Sequence, residues 1–142
     1  MDWRDLRFWL AMGAALPVWA ALAAWAPGAV HPAWPLGAPL AFVLPALVYP
    51  VAEEVIFRGA VQETLHDRLP PFRLGPVTGA NLLTSVVFTA LHFIHHPPLW
   101  ATLVFLPSLV FGYFKDRTGS LQAPIALHVF YNAGYFWLFG GP

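Results

Sequence analysis

Five apolar stretches, at about Phe8 to Val30, Leu36 to Phe57, Val77 to Ile94, Leu99 to Phe114 and Leu121 to Phe139, take up most of the chain. Each approaches the ~20 apolar residues that a helix needs to cross a bilayer. The sequence therefore predicts an all-α fold, a polytopic membrane helix bundle of about five transmembrane helices. Hydrophobic residues make up 58% of the 142 and charged ones 10%, which excludes an ordinary soluble domain. A net charge of zero gives no electrostatic footprint for nucleic acid. No repeat or linker interrupts the chain, so one domain over 1–142 is expected. Without cysteine, neither disulfides nor thiol chemistry are open to it.

The apolar run after Arg4 and Arg7 is long for a signal peptide, so the first span is read as retained. All the basic residues are Arg4, Arg7, Arg58, Arg68, Arg73, Lys115 and Arg117, whereas the connections Pro27 to Pro35 and His95 to Pro98 have none. The positive-inside rule then predicts a cytoplasmic N-terminus and an outside C-terminus. Trp25, Trp34, Trp100 and Trp137 fall at the predicted outer ends, and Trp3 and Trp9 at the inner one. Pro17, Pro45, Pro50 and Pro107 lie inside predicted spans, where kinks are tolerated if neighbours satisfy the freed carbonyls. Beyond Gly59 the second span is expected to emerge as a solvated helix end carrying Gln62, Glu63, His66, Asp67 and Arg68.

Polar groups fall inside the spans at three places: Glu53, Glu54 and Arg58; His92; and His128 with Asn132. A charge near the bilayer centre costs roughly 2.5 to 3.5 kcal/mol on insertion scales, so each is a functional-site candidate. Residues four apart share a helix face, which pairs Glu54 with Arg58, Phe88 with His92, and His128 with Asn132. Glu53 and Glu54 diverge by ~100° around a helix. Glu54 and Arg58 thus read as a buried pair, leaving Glu53 as a carboxylate suited to acid or base work. With His92 it could hold and deprotonate a water molecule. His128 and Asn132 offer the two donors an oxyanion requires.

Other hydrolytic chemistries lack their residues. Ser85, Ser108 and Ser120 are in no Gly-x-Ser-x-Gly elbow. Asp2, Asp5, Asp67 and Asp116 all lie outside the predicted spans, and His-Glu-x-x-His is absent. A metal on His92 and His96, four residues apart, stays open as an alternative, although no carboxylate lies between them.

Glu53-Glu54-x-x-x-Arg58, Phe88-x-x-x-His92 and His128-x-x-x-Asn132, in that order on successive apolar segments, resemble the CAAX prenyl protease 2 and bacteriocin-processing (CPBP) superfamily, also called Rce1-like. The resemblance covers roughly Tyr49 to Tyr135. It implies an intramembrane protease in which Glu53 and His92 activate water and His128 and Asn132 form the oxyanion hole, with Glu54, Arg58 and Phe88 in support. A glutamic-type mechanism without a cofactor is the favoured reading, and a divalent metal such as zinc the alternative.

About five spans is fewer than the larger prenyl-processing members have, and the make-up points to a bacterial inner membrane. The partners expected are the lipid bilayer and a membrane-anchored protein or peptide, processed at a C-terminal sorting tag. A non-catalytic membrane protein, whether for bacteriocin self-immunity or as a proton-linked carrier, is the rival class.

On a simple antiparallel path Glu53 comes late in an inward span and His92 late in the next, outward one. The two would then stand well apart at 1.5 Å per residue. Tilt, kinks at Pro45 and Pro50, or a second helix that starts later would close the gap.

Overall fold

Pro17, Pro45, Pro50 and Pro107 do not break their helices; each sits within a continuous helical run, and these runs are what the computed structural model consists of. It describes residues 4–140. The helices are α1 (Leu6–Trp25), the single turn α2 (Trp34–Gly37), α3 (Pro39–Arg68), α4 (Gly79–His92), α5 (Pro98–Thr118) and α6 (Gln122–Phe139). Among the described residues α1, α3 and α5 are long and apolar enough to cross a membrane, and α4 is a shorter apolar helix. This is the predicted helical membrane bundle, with all five apolar stretches helical.

The boundaries differ from the sequence expectation in ways that local chemistry explains. The first span stops at Trp25, because Pro27-Gly28 opens a tight turn over Pro27–Ala29. Asp5 caps its start, accepting from the Arg7 N–H at 3.0 Å. The third loses Val77 and Thr78 to a two-stranded hairpin, Arg73–Leu74 (β1) against Val77–Thr78 (β2), which Gly75 turns at φ +59°. Thr78 then caps α4 by accepting from the Asn81 N–H at 3.1 Å. The fourth runs past Phe114 to Thr118 and ends on Gly119 at φ +66°. Lys115 and Asp116, expected beyond the span, are thus helical.

The chain divides into two compact units, residues 53–125 and residues 4–52 with 126–140. In the first, a polar seam joins three helices. Arg58 Nη2 donates to the Ser108 carbonyl at 2.8 Å and to Ser108 Oγ at 2.7 Å, and Gln62 Nε2 donates to the Gly112 carbonyl at 3.0 Å. One helical turn along α3 thus matches one along α5, so the two run parallel. Asp116 accepts from Gln62 Nε2 and from Thr78 Oγ1, each at 2.7 Å, and Asn81 Nδ2 donates to the Leu109 carbonyl at 3.0 Å. Those contacts run in opposite order along α4 and α5, so α4 is antiparallel to both.

Gln62 corrects the sequence expectation, since a residue assigned to a solvated helix end is 1% exposed. Glu63 is exposed but pairs with Lys115. His66, Asp67 and Arg68 are exposed, as expected.

Glycine at 112 lets α4 approach α5 closely. A Cβ there would lie 2.0 Å from Asn81 Oδ1 and 2.4 Å from its Cγ. Asn81 cannot swing aside cheaply, because Nδ2 is bonded to Leu109 and Oδ1 accepts from Ser85 Oγ at 3.1 Å. Gly112→Ala is therefore expected to destabilise the fold by about 1–3 kcal/mol. Thermal unfolding in detergent checks this, and an unchanged midpoint would mean that the helices can part at no cost.

In the second unit, Trp34 Nε1 donates to the Phe136 carbonyl at 2.7 Å and the His31 N–H to the Leu138 carbonyl at 2.9 Å. Both carbonyls lie in the last turn of α6, and that of Phe136 also accepts from the Gly140 N–H at 3.0 Å. Of the tryptophans placed at span ends, Trp9, Trp25 and Trp137 are exposed, and Trp3 lies outside the described residues.

Candidate active site

Two departures from α geometry flank Glu53 and Glu54 in α3: π-helical turns cover Leu44–Val48 and Val55–Gln62. Such turns are frequent at functional sites. The first has an evident cause. Tyr49 donates five residues back, to the Leu44 carbonyl, and Pro50 has no N–H to offer to Pro45. The Pro45 carbonyl accepts instead from Asn132 Nδ2 at 3.1 Å. One amide hydrogen of Asn132 is thereby used within the second unit, and Nδ2 carries another. His128, one turn earlier on the same face of α6, is 5% exposed.

The ion pair expected from the spacing is present: Arg58 Nε lies 3.3 Å from Glu54 Oε2, and both side chains are 0% exposed. The guanidinium also lies 4.9 Å from the ring centre of Phe88 and 5.7 Å from that of Phe111, so aromatic faces add to the polar partners that hold this cation. Its bonds to Ser108 commit that hydroxyl. Ser85 Oγ donates to Asn81, and Ser120 Oγ accepts from the Gln122 N–H at 3.2 Å. All three serines therefore have structural partners.

Phe88 sets the place of His92. Its ring meets Phe57 edge to face at 4.9 Å and His92 at 4.5 Å. Its carbonyl lies 2.8 Å from His92 Nδ1. A carbonyl only accepts, so Nδ1 carries the proton, and in the neutral ring the lone pair is on Nε2.

Glu53 is not late in its helix but midway along the 30 residues of Pro39–Arg68. Because α3 and α4 are antiparallel, one turn back from Arg58 toward Glu54 and Glu53 runs in the same direction as one turn on from Phe88 to His92. Each turn advances about 6 Å from the shared contact between Arg58 and Phe88. Glu53 and His92, both half-buried, therefore lie on the same side of that contact along their helices.

Beyond α4, His96 stacks on His92 with ring centres 5.6 Å apart and planes 20° from parallel. Partial burial, then the neighbouring charges of His92 and His95, lower the His96 pKa, which favours its neutral form near pH 7.

A catalytic zinc takes three protein ligands. Among the described residues no three His, Asp or Glu side chains are grouped to supply them. The donor set does not fit a catalytic metal, and the residues are treated below by their own acid and base chemistry.

Sequence reading did not find the seam of Gln62, Thr78, Asn81 and Asp116. Only the polar character of these residues within apolar surroundings could have signalled it.

Comparison with known proteins adds the family. The family model described as type II CAAX prenyl endopeptidase Rce1-like matches residues 32–134. That interval contains Glu53, Glu54, Arg58, Phe88, His92, His128 and Asn132. No curated protein matches the chain, and no solved structure does.

Proposed function

Because the chain belongs to the Rce1-like family of type II CAAX prenyl endopeptidases, we propose that it is an intramembrane endopeptidase of glutamic type in which Glu53 and His92 activate the attacking water. The family is a protease family, and its members' work on membrane-associated substrates agrees with the apolar helices of this chain. The pairing is supported by the place of Glu53 and His92 on the same side of the Arg58–Phe88 contact, together with the His92–Phe88 bond that leaves a lone pair on Nε2.

In this reading Glu53 and His92 Nε2 take the proton of a bound water as its oxygen attacks the scissile carbonyl carbon. His128 and the second amide hydrogen of Asn132 stabilise the oxyanion. As the C–N bond breaks, the proton taken from water passes to the leaving amine. The products are a carboxylate and a new amine terminus. Glu54, Arg58 and Phe88 position the reacting groups rather than touching the substrate.

The same residues frame the substrate proposal. A carboxylate midway along a 30-residue apolar helix acts at the depth of the bilayer, so the bond cut is carried on or beside a membrane segment. A C-terminal sorting tag or peptide of a membrane-anchored protein fits, in a bacterial inner membrane with the N-terminus cytoplasmic.

Mass spectrometry of membrane and exported proteins tests this in cells carrying the native chain or Glu53→Gln. A C-terminal fragment is expected to persist only in the variant. Identical termini in both would remove the proteolytic reading and favour a non-catalytic protein, in which an amide could replace the carboxylate without effect.

A further inference from the structure

The bonds that hold the polar seam of residues 53–125 leave three buried polar atoms over. Arg58 Nη2 donates to Ser108 and its Nε faces Glu54, but Nη1 has no protein partner among the described residues. Gln62 Nε2 donates to Gly112 and Asp116, but its Oε1 has none, and neither has Thr84 Oγ1. All three residues are at most 1% exposed. We propose that Arg58 Nη1, Gln62 Oε1 and Thr84 Oγ1 together bind one internal water molecule, which ties α3 to α4. The site takes no part in the hydrolytic scheme and does not rest on it.

Position along the antiparallel helices brings the three residues together. Phe88 of α4 lies under the Arg58 guanidinium, 4.9 Å from ring centre to cation. Asn81 of α4 donates to the Leu109 carbonyl and packs on Gly112, the residue whose carbonyl accepts from Gln62. Thr84 is four residues before Phe88 and three after Asn81, on the buried face that all three share. It therefore falls at the height between Arg58 and Gln62, which are themselves one turn apart on α3.

The donors and acceptors match a water molecule. Nη1 can only donate, Oε1 can only accept, and a hydroxyl does either. The water oxygen accepts from Nη1, one of its hydrogens goes to Oε1, and the third bond runs to or from the Thr84 hydroxyl. About three bonds is the usual number for a buried water. The ligand must be neutral, because the guanidinium repels a cation and Glu54 beside it already balances its charge. Left bare, each of these groups would weaken the fold, the charged one most.

Chemical unfolding of the full chain in micelles, measured for Thr84→Val, Gln62→Met and the double variant, tests the site. Valine keeps the shape of threonine but removes the hydroxyl, and it is expected to raise the unfolding constant about tenfold or more by depriving the water of a bond. In Gln62→Met the water has already lost its acceptor, so there the same change is expected to cost less than about threefold. A Thr84→Val chain as stable as the native one, or more so, would overturn the site, since removing a hydroxyl that has no partner relieves the fold. A loss undiminished in Gln62→Met would overturn it as well, because Thr84 would then have a partner that it does not share with Gln62. A crystal structure of the native chain that resolves solvent is expected to show one ordered water in hydrogen-bond reach of all three atoms. Empty density there, or a direct bond between any two of them, would contradict the proposal.

Discussion

Glu53→Gln is expected to abolish peptide hydrolysis by a factor of about 10²–10⁴, the usual contribution of a positioned general base, while leaving unfolding within about 0.5 kcal/mol of the native chain. The amide keeps the shape and hydrogen-bonding capacity of the carboxylate but cannot accept the proton of water. Glu53 is half-buried, whereas the adjacent Glu54, 3.3 Å from Arg58, is 0% exposed. Stability and turnover should therefore separate at this position. Turnover of a fluorogenic membrane peptide in proteoliposomes, read beside thermal unfolding of the same preparation, checks both halves.

At Arg58 they should not separate. Arg58→Ala removes the cation from a site where Glu54 is 0% exposed, and breaking one side of a buried pair costs about 3–5 kcal/mol. Ser108 and the faces of Phe88 and Phe111 lose their partner at once. Replacing both members with apolar residues of similar volume, Glu54→Leu with Arg58→Met, should recover much of that loss, because no buried charge is then left uncompensated. Chemical unfolding in micelles separates the cases. A single variant less than 1 kcal/mol from the native chain would show that the pair does not hold these helices together. Activity should fall with stability in Arg58→Ala, since the Arg58–Phe88 contact sets the level of His92.

These positions also show how far the sequence could be read. Apolar run length is a strong signal, and every predicted stretch is a helix. The Glu54–Arg58 pair was legible because its geometry is local, one turn along a single helix. Gln62 was misread for the opposite reason. Its partners Gly112 and Asp116 are about 50 residues away, and nothing in a local window separates a buried polar face from a solvated one.

Asn132 shows a third case. Its spacing from His128 marks a shared face, but its bond to Pro45 depends on the π-helical register around Leu44–Val48, which no periodicity announces. The continuation of α3 to Arg68, past the end of the apolar pattern near Phe57, was expected from the sequence, although as a solvated end. There the polar seam with α4 and α5 takes over from hydrophobicity.

The central claim is that Glu53 and His92 act on one water as a unit. Residues that act together lose their contributions together, so removing the second costs little once the first is gone. The direct measurement is kcat for Glu53→Gln, His92→Ala and the double variant, in metal-free buffer on one membrane peptide. Both single variants are expected to fall by about 10²–10⁴, with the double variant no slower than the worse single one. Losses that multiply in the double variant, or a Glu53→Gln enzyme that still turns over, would contradict it.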